Sequence, residues 1–268
     1  VVNGESVPAD RVLAAGDLVR YTPSDIVEPP VDPTYRVVFE DEALLVIDKS
    51  GDLPVHPAGV FYFHTLWYLL TERFGEINLV NRLDRETSGL MAVAKNAATA
   101  AKLSKRPMEK RYWAIVHGEF PEELAAEGFL VRDAASPVRK KRRFVCEPGE
   151  APAESARTFF RRIDRAEGFS LVEATLGTGR MHQIRATLCS LGYPLVGDKL
   201  YGVDETIFLK IREDRIDDMD RARLILPRQA LHSRYLKFAH PASGEMLEFG
   251  AELPADLEPL GRLFRTQI

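Results

Sequence analysis

Asp84 is the residue whose neighbours in the sequence first suggest chemistry. It stands between Arg82 and Arg85, in a segment, residues 79–95, that reads LVNRLDRETSGLMAVAK. Nearby positive charge lowers the pKa of a carboxylate and keeps it ionised, and an ionised carboxylate is a nucleophile that needs no separate base. Glycosidases direct such a group at the C1′ carbon of a sugar. The tetrapeptide Arg-Leu-Asp-Arg, residues 82–85, also suits an aspartate that only caps a turn. A motif this short leaves both roles open.

Extended segments are predicted on both sides of Asp84. Residues 90–94 are a short apolar run without helical periodicity, as is typical of a buried strand, and residues 79–80 indicate a second extended piece. The Asn, Asp, Thr, Ser and Gly residues between them are turn formers. We therefore expect Asp84 on a tight loop at the mouth of a sheet, where a rigid scaffold commonly places functional side chains.

The longer string around Asp84 resembles a family signature. Residues 82–90, RLDRETSGL, are similar to the His-Arg-Leu-Asp-x-x-Thr-Ser-Gly signature of the RluA-type pseudouridine synthases. The resemblance implies that Asp84 is the catalytic nucleophile. In such a reaction we expect Arg82 to fill the space of a flipped base or to bind phosphate. Asn81 stands where the family usually has histidine, a replacement that bears on the geometry of the loop more than on its chemistry.

A second motif follows later in the chain. Residues 177–185, GTGRMHQIR, resemble the family's Gly-Arg-x-His-Gln-Ile-Arg motif. The resemblance implies that Arg185 pairs with the catalytic aspartate. The position of Arg180 and His182 at the start of the predicted helix favours structural or RNA-contacting roles over catalytic ones. Thr187 replaces a histidine that is common in the family.

A helix is predicted to carry this motif. Its apolar residues follow helical spacing, so one face should be buried, and Gly192 ends it. The apolar residues are Met181, Ile184, Leu188 and Leu191. Arg185 lies beside this stripe and can point toward the Asp84 loop. Residues 195–202, LVGDKLYG, also resemble a segment of these enzymes and read as a turn-rich loop.

Tyr112 is the aromatic residue of the predicted site. It lies in residues 110–116, KRYWAIV, which read as a strand. From the strand alone a core position is the favoured interpretation. The resemblance aligns Tyr112 with the tyrosine of the family's Lys-x-Tyr motif, which stacks on the target base, and aromatic faces do hold flipped or single-stranded bases.

The charge of the chain places a condition on any interaction with RNA. The net charge is −4 and the pI about 5.9, whereas RNA-binding proteins are usually basic. Positive charge must then be local, and five adjacent cations supply it: Arg139, Lys140, Lys141, Arg142 and Arg143. The run is either a solvated loop or a phosphate-contacting segment, and its density favours the second. It lies within residues 119–153, whose polar, proline-punctuated sequence predicts a loop.

Length and composition allow one large domain or two small ones, since 45% of the 268 residues are hydrophobic. We expect an α+β fold with a mixed, largely antiparallel sheet and flanking helices, a topology that the resemblance implies. Residues 1–22 are similar to part of an S4 RNA-binding domain, and a plain structural hairpin is the alternative. Residues 23–34 are rich in proline and predict a stiff linker. The catalytic domain is expected at residues 35–268.

The remaining elements are predicted from periodicity and turn signals. Strands are expected at residues 37–39, 44–47, 156–164, 169–176, 231–238 and 245–249, and helices at residues 66–74 and 97–103. Asn96 suits the N-cap of the second helix. Residues 209–226 are charged and give no clear assignment.

Several classes of protein are disfavoured. No run of about 18 apolar residues exists, and the N-terminus lacks the layout of a signal peptide, so we expect a cytoplasmic protein without a membrane segment. Cys146 and Cys189 offer neither a disulfide framework nor zinc spacing. Neither a metal nor another cofactor is expected.

The sequence therefore predicts a pseudouridine synthase that acts on structured RNA, as a monomer, with ribosomal RNA favoured over transfer RNA. Whether Asp84 attacks C1′ or the base stays open. One alternative is an inactive RNA-binding relative, which the intact Asp84, Tyr112 and Arg185 disfavour. The other is a glycoside hydrolase, which needs a second carboxylate as general acid, and Glu86 is the nearby candidate.

Overall fold

The computed structural model describes residues 1–20, 27–149 and 152–264. Within these residues eleven strands share one sheet. They are β1 (Tyr35–Glu40), β2 (Leu44–Lys49), β3 (Asn78–Leu79), β4 (Ser88–Ala94), β5 (Met108–His117), β6 (Glu123–Arg132), β7 (Arg142–Val145), β8 (Ala153–Ala166), β9 (Phe169–Leu176), β10 (Leu231–Ala239) and β11 (Met246–Gly250). The helices are α1 (Leu66–Phe74), α2 (Ala97–Ser104), α3 (Gln183–Ser190), α4 (Thr206–Arg212), α5 (Asp218–Leu224) and α6 (Glu258–Gly261).

The order of strands across the sheet is β1-β2-β4-β10-β5-β9-β8-β6-β7, with β11 beside β10 and β3 beside β4. Strands β4 and β10 run parallel, and the other described pairs are antiparallel. The predicted α+β fold with a mixed, largely antiparallel sheet is thus confirmed. Strand β10, from late in the chain, separates β4 from β5.

Gly89 lets β4 and β10 approach each other at the start of their pairing. Its φ is +109°, a region that side chains with a Cβ rarely adopt, and a Cβ there would lie 2.3 Å from the carbonyl oxygen of Ser233. Any larger residue would therefore have to push the two strands apart directly after the Asp84 loop.

Helices cover both faces of the sheet. Met91 and Val93 of β4 belong to the same buried cluster as Leu66 and Leu70 of α1. The alternate residues of the strand, Leu90 and Ala92, pack in a second cluster with Leu103 of α2. Because successive side chains of a strand point to opposite faces, a strand covered on both faces reads as a continuous apolar run. All seven residues of β4 are buried.

Both predicted helix starts have side-chain caps. Thr65 accepts the backbone N–H of Tyr68 at the start of α1. Asn96 accepts the backbone N–H of Thr99 at the start of α2, as predicted. Helix α1 has the bounds expected from the spacing of its apolar residues.

The expectation of a loop over residues 119–153 is wrong, because β6 and β7 lie within it. Ala126, Leu130 and Val131 are buried in β6. Their neighbours Ala125, Glu127 and Gly128 have weak strand propensity, so the alternation is hard to recognise, and pairing with β8 fixes the strand.

Residues 209–226, which the sequence left unassigned, contain most of α4 and all of α5. Helix α5 begins with a reciprocal cap: Asp217 accepts the N–H of Asp220, and Asp220 accepts the N–H of Asp217. An aspartate at the third position in place of the usual glutamate made this signal less visible. None of the described helices is long and apolar enough to span a membrane.

The N-terminal residues 1–20 are joined by bridges of Val2 to Glu5 and Val19. Asn3 and Asp17 link their side chains at 2.8 Å. The S4-like interpretation stays a prediction. The predicted linker at residues 23–34 lies partly outside the described residues, and in its described part Asp32 and Thr34 accept hydrogen bonds from Ser50.

Candidate active site

Asp84 lies in the loop between β3 and β4. The loop turns tightly, since the N–H of Thr87 donates to the carbonyl of Asp84 at 3.1 Å. Asn81 accepts the N–H of Ala92 on its side-chain oxygen at 3.2 Å, so the residue that replaces the family's histidine ties the loop to β4. Gln229, just before β10, donates to the hydroxyl of Thr87 at 2.6 Å. Hydrogen bonds with β4 and with the residue Gln229 therefore hold the loop.

Lys49 supports the same loop from within the protein. Its ammonium donates to the carbonyls of Ser50, Leu53 and Arg85 at 2.7, 2.9 and 3.0 Å. The side chain is fully enclosed, and burial lowers the pKa of Lys49 to about 7. The bond to Arg85 fixes the backbone directly after Asp84.

Arg185 of α3 makes the direct contact with Asp84. Its Nη1 donates to Asp84 Oδ2 at 2.7 Å. Burial alone would raise the pKa of Asp84, but the charges of Arg185 and Arg82 outweigh it and hold that pKa below its ordinary value. The Asp84 side chain keeps 22% of its surface exposed. An ionised, ion-paired and accessible carboxylate is therefore present at this point of the surface.

Asp198 is the site residue that the sequence reasoning missed. Its carboxylate is completely buried and accepts Nε and Nη2 of Arg185 at 2.7 and 2.9 Å. It also accepts the N–H groups of Leu200 and Tyr201. Asp198 lies in the LVGDKLYG segment, which resembles the family, but that resemblance assigns no role to any one residue of the segment.

His182 faces Asp84 from the start of α3. It adopts the left-handed conformation, with φ +57°, and its Nε2 lies 3.8 Å from Asp84 Oδ1. Burial lowers the pKa of His182 to about 4, so the imidazole is neutral at pH 7. Nδ1 lies 3.0 Å from Tyr201 Oη, which accepts the N–H of Arg142 at 2.9 Å.

These contacts favour one tautomer of His182. A tyrosine hydroxyl has one proton, and with Arg142 donating to Oη, Tyr201 can give its own proton to Nδ1. Nδ1 is then the acceptor, and the single N–H proton of the neutral imidazole sits on Nε2, the atom that faces the Asp84 carboxylate. A neutral N–H donor thus joins Arg185 beside Asp84, and the chain of contacts continues into the basic run.

Tyr112 lies on β5 beside Ser233 of β10. The residue is 6% exposed and belongs to the main buried cluster. Burial raises its pKa to about 12, and the Asp84 charge contributes in the same direction. The tyrosine is therefore a core residue and an electrostatic neighbour of Asp84 at once.

The two arginines that flank Asp84 in sequence diverge in space. Arg82 is exposed, and its charge lowers the pKa of both Asp84 and His56. Arg85 turns away: its Nε donates to Asp52 at 2.7 Å, and its guanidinium lies 4.7 Å from the ring centre of Phe61. The expected pair of flanking guanidinium groups is wrong for Arg85, and Arg185 takes that place.

The basic run divides into members with different surroundings. Lys141 is largely buried and bound to Glu205 at 2.6 Å and to Asp133 at 3.7 Å, so it is already neutralised. Arg142 directs Nη1 at the carbonyls of Arg139 and Lys141, at 3.5 and 3.4 Å.

The other predicted RNA contacts lie at the surface. Arg139, Lys140 and Arg143 are exposed. Arg180 is exposed too, and its Nε donates to the carbonyl of Ser155 at 3.2 Å. Thr187, by contrast, is buried, and its hydroxyl has no hydrogen-bond partner within the part of the chain that the structure describes.

No three His, Cys, Asp or Glu side chains among the described residues are placed to hold a metal ion. Glu86, the candidate second carboxylate, is bound to Lys199. What the residues supply is an ionised carboxylate with an arginine, a neutral imidazole and a tyrosine around it.

This fold is that of the pseudouridine synthases. The human protein RNA Pseudouridylate Synthase Domain Containing 4 superposes with a TM-score of 0.63 and 26% identity, over 87% of this chain and 94% of that one. The human protein RNA Pseudouridylate Synthase Domain Containing 1 superposes with a TM-score of 0.64 and 24% identity, over 90% of this chain and 93% of that one.

The chain belongs to the RNA pseudouridylate synthase family, whose model matches residues 43–190. Ribosomal large subunit pseudouridine synthase D of Zymomonas mobilis is 34% identical over 248 residues, which make up 87% of this chain and 74% of that protein. The mitochondrial tRNA pseudouridine(32) synthase of Saccharomyces cerevisiae is 38% identical over 210 residues, 76% of this chain and 45% of that protein. The protein is thus an isomerase that forms pseudouridine in RNA.

Proposed function

We propose that Asp84 is the nucleophile of this isomerase and that its substrate is a uridine in structured RNA, with ribosomal RNA favoured over transfer RNA. The observation that carries the proposal is the 2.7 Å bond from Arg185 to Asp84, which keeps the carboxylate ionised while part of it remains exposed. Relatives named for each RNA class resemble the chain. The preference for ribosomal RNA rests on how often it is the substrate in the family.

The reaction defines what the site must do. The bond from C1′ to N1 breaks, the uracil turns, and C1′ joins C5; C5 loses a proton and N1 gains one. A uridine stacked in a helix cannot undergo these steps, so it must first leave the stack. Asp84 supplies the nucleophile, at C1′ or at the base.

The surrounding residues have separate roles in this proposal. Arg185 orients Asp84 and keeps it charged. Tyr112 presents a flat face to the uracil. Arg82, exposed beside the loop, fills the space that the uridine leaves or binds a phosphate. Arg180, exposed near the start of α3, and His182, which faces Asp84, are the further residues to which we assign RNA contacts.

Glycoside hydrolysis is less well supported. Its general acid would be Glu86, whose carboxylate is bound to Lys199, so that the acid must lose its partner before it donates a proton. Hydrolysis would release free uracil, whereas isomerisation retains every atom in the RNA. The S4-like segment, a cytoplasmic location and a monomeric state stay predictions.

The decisive experiment compares wild type with Asp84→Asn and Asp84→Glu. Pseudouridines are mapped in RNA from cells that lack the gene and are complemented by each form. We expect no modified position with Asp84→Asn, although the protein folds and binds RNA. Asp84→Glu should also fail, because a displacement of about 1 Å can cost roughly a hundredfold in rate. Modification restored by Asp84→Asn would show that another group is the nucleophile.

A further inference from the structure

A basic groove lies between α4 and the segment that leads into β7. Its volume is about 610 Å³ and its lining residues are Pro137, Val138, Arg139, Lys140, Arg142, Phe208 and Arg212. The cations therefore come from two parts of the chain: three from the basic run and one from the end of α4, a helix that sequence reasoning did not assign.

Three of the four cations of this groove, Arg139, Lys140 and Arg212, are available for an outside partner, whereas Arg142 directs Nη1 at two backbone carbonyls. Within the described residues none of them forms an ion pair with a carboxylate, whereas Lys141 beside them is fully engaged with Glu205 and Asp133. The side chains of Arg139, Lys140 and Arg212 are exposed. A concentration of unpaired positive charge in an acidic chain calls for a polyanionic partner.

The floor of the groove is apolar. Phe208 is half-buried against Tyr201 and its neighbours, and Lys140 Nζ lies 5.6 Å from the centre of its ring. Pro137 and Val138 complete this floor. An aromatic ring beneath a rim of cations is the combination that single-stranded nucleic acids use, because bases stack while phosphates meet the charges. The backbone of a duplex offers no base to such a floor.

A chain of contacts also links the groove to the active site. The backbone N–H of Arg142 donates to Tyr201, whose hydroxyl lies against His182, and His182 faces Asp84. The lining of the groove and the Asp84 carboxylate are therefore connected within the protein through Tyr201 and His182.

We propose that this groove binds a single-stranded stretch of the substrate RNA, with phosphates on Arg139, Lys140 and Arg212 and a base on Phe208. The inference rests on the proposed function, since it assumes that the substrate RNA binds at Asp84. It adds α4 to the RNA-binding surface and removes Lys141 from it.

The probe is a fluorescein-labelled oligoadenylate of about twelve nucleotides, within the usual range of single-strand site sizes. It contains no uridine, so its binding does not depend on the chemistry at Asp84. Fluorescence anisotropy is measured across a potassium chloride series. The variants are the triple change Arg139→Gln, Lys140→Gln, Arg212→Gln, and the single change Phe208→Leu.

Each cation that neutralises a phosphate of a single strand contributes about 0.7 to the slope of log affinity against log salt. For the triple variant the slope of log affinity against log salt should therefore be shallower by about 2. Its affinity at low salt should be at least roughly tenfold weaker than that of wild type. Phe208→Leu should weaken binding about fivefold, since a stacking face is lost, with the slope unchanged. The triple variant alters exposed side chains only, so its folding should match that of wild type in thermal melts.

A control variant carries the same change of charge elsewhere: Arg36→Gln, Arg165→Gln and Arg262→Gln. These side chains are exposed and form surface ion pairs, which contribute little to stability. Its slope and affinity should equal those of wild type. If the groove variant and the control bind alike, or if polyglutamate binds in place of the oligoadenylate, the groove is not an RNA site.

The wild-type protein is assayed separately for pseudouridine formation in cellular RNA. Absence of pseudouridine together with groove-dependent oligoadenylate binding would overturn the proposed function and leave the groove as an RNA site. Pseudouridine formation together with oligoadenylate binding that does not depend on the groove would support the proposed function and overturn the proposal that the groove binds RNA.

Discussion

Asp198 holds Arg185 by two hydrogen bonds and thereby directs the third guanidinium donor at Asp84. Nε and Nη2 meet the Asp198 oxygens at 2.7 and 2.9 Å, and Nη1 reaches Asp84 at 2.7 Å. Because the guanidinium group is planar and rigid, two bonds fix its orientation. Asp198 is thus a positioning residue for the carboxylate that we propose as the nucleophile.

Asp198→Asn should lower kcat about a hundredfold, a usual effect of displacing a catalytic group by roughly 1 Å, while KM for RNA changes little. It should also destabilise the fold by about 3–5 kcal/mol, since a buried ion pair is broken. The measurements are steady-state kinetics and thermal unfolding. Asp220→Asn is the matched control, because Asp220 is a buried carboxylate bound to Lys210 at 2.8 Å. An equal fall of kcat in both variants would contradict the positioning role.

Arg185→Ala should shift the acid limb of the pH–rate profile to higher pH. Arg185 holds the pKa of Asp84 below its ordinary value against the opposing effect of burial. Without it that pKa rises, so Asp84 takes up a proton at a higher pH and activity is lost earlier on acidification. Arg180→Ala, the loss of an exposed arginine in the same motif, should leave the acid limb in place. A profile that Arg185→Ala does not move would exclude this electrostatic role.

Tyr112→Phe should keep most of the activity, because the flat face is retained and only the hydroxyl contact to Ser233 is lost. Tyr112→Leu keeps an apolar side chain in the core but removes the face, and should weaken the interaction with the base by about 1–3 kcal/mol. Single-turnover rates and RNA affinity separate the two effects. Equal activity of the Phe and Leu variants would show that Tyr112 is only a core residue.

His182→Asn should make the protein less sensitive to mild acid. Burial lowers the pKa of His182 from 6.5 to about 4, so between these values the unfolded chain binds a proton that the folded chain does not. Stability is therefore lost as the pH falls from 6.5 to 4, by about 3 kcal/mol in all and about 2 kcal/mol between pH 7 and pH 5. Asn tolerates the left-handed backbone of this position.

The measurement for His182→Asn is denaturant unfolding at pH 7 and pH 5. His232, whose pKa burial lowers to about 3, remains in both proteins, so the comparison isolates His182. Wild type should lose more stability than the variant over this interval. An identical loss in the two proteins would mean that His182 is not held neutral in the folded state.

Local sequence patterns predicted the strand, the loop and the helix that form the site. They did not predict the contacts between residues far apart in sequence, which give Asp198 and Lys141 their roles. The α1 bounds and the buried run of β4 followed from periodicity, and Asp84 and Arg185 from motif resemblance. Asp198 lies in a turn, and its role comes from the contact with Arg185 of α3, which is distant from that turn in sequence. No local sequence pattern therefore marks Asp198 as a site residue. Lys141 belonged to a uniform run of cations in sequence, and only its contact with Glu205 set it apart.

The position of β10 has a consequence for protein synthesis. Asp84 precedes β4 and Tyr112 lies on β5, yet the strand between β4 and β5 is β10, which leaves the ribosome long after both. Until then the nascent sheet has two unpaired edges where β10 will insert, and such edges invite pairing with other chains. Contacts of this sequence separation also form slowly. In the emerging chain the strand after the Asp84 loop and the strand that carries Tyr112 are therefore joined, and their open edges closed, in the same late step.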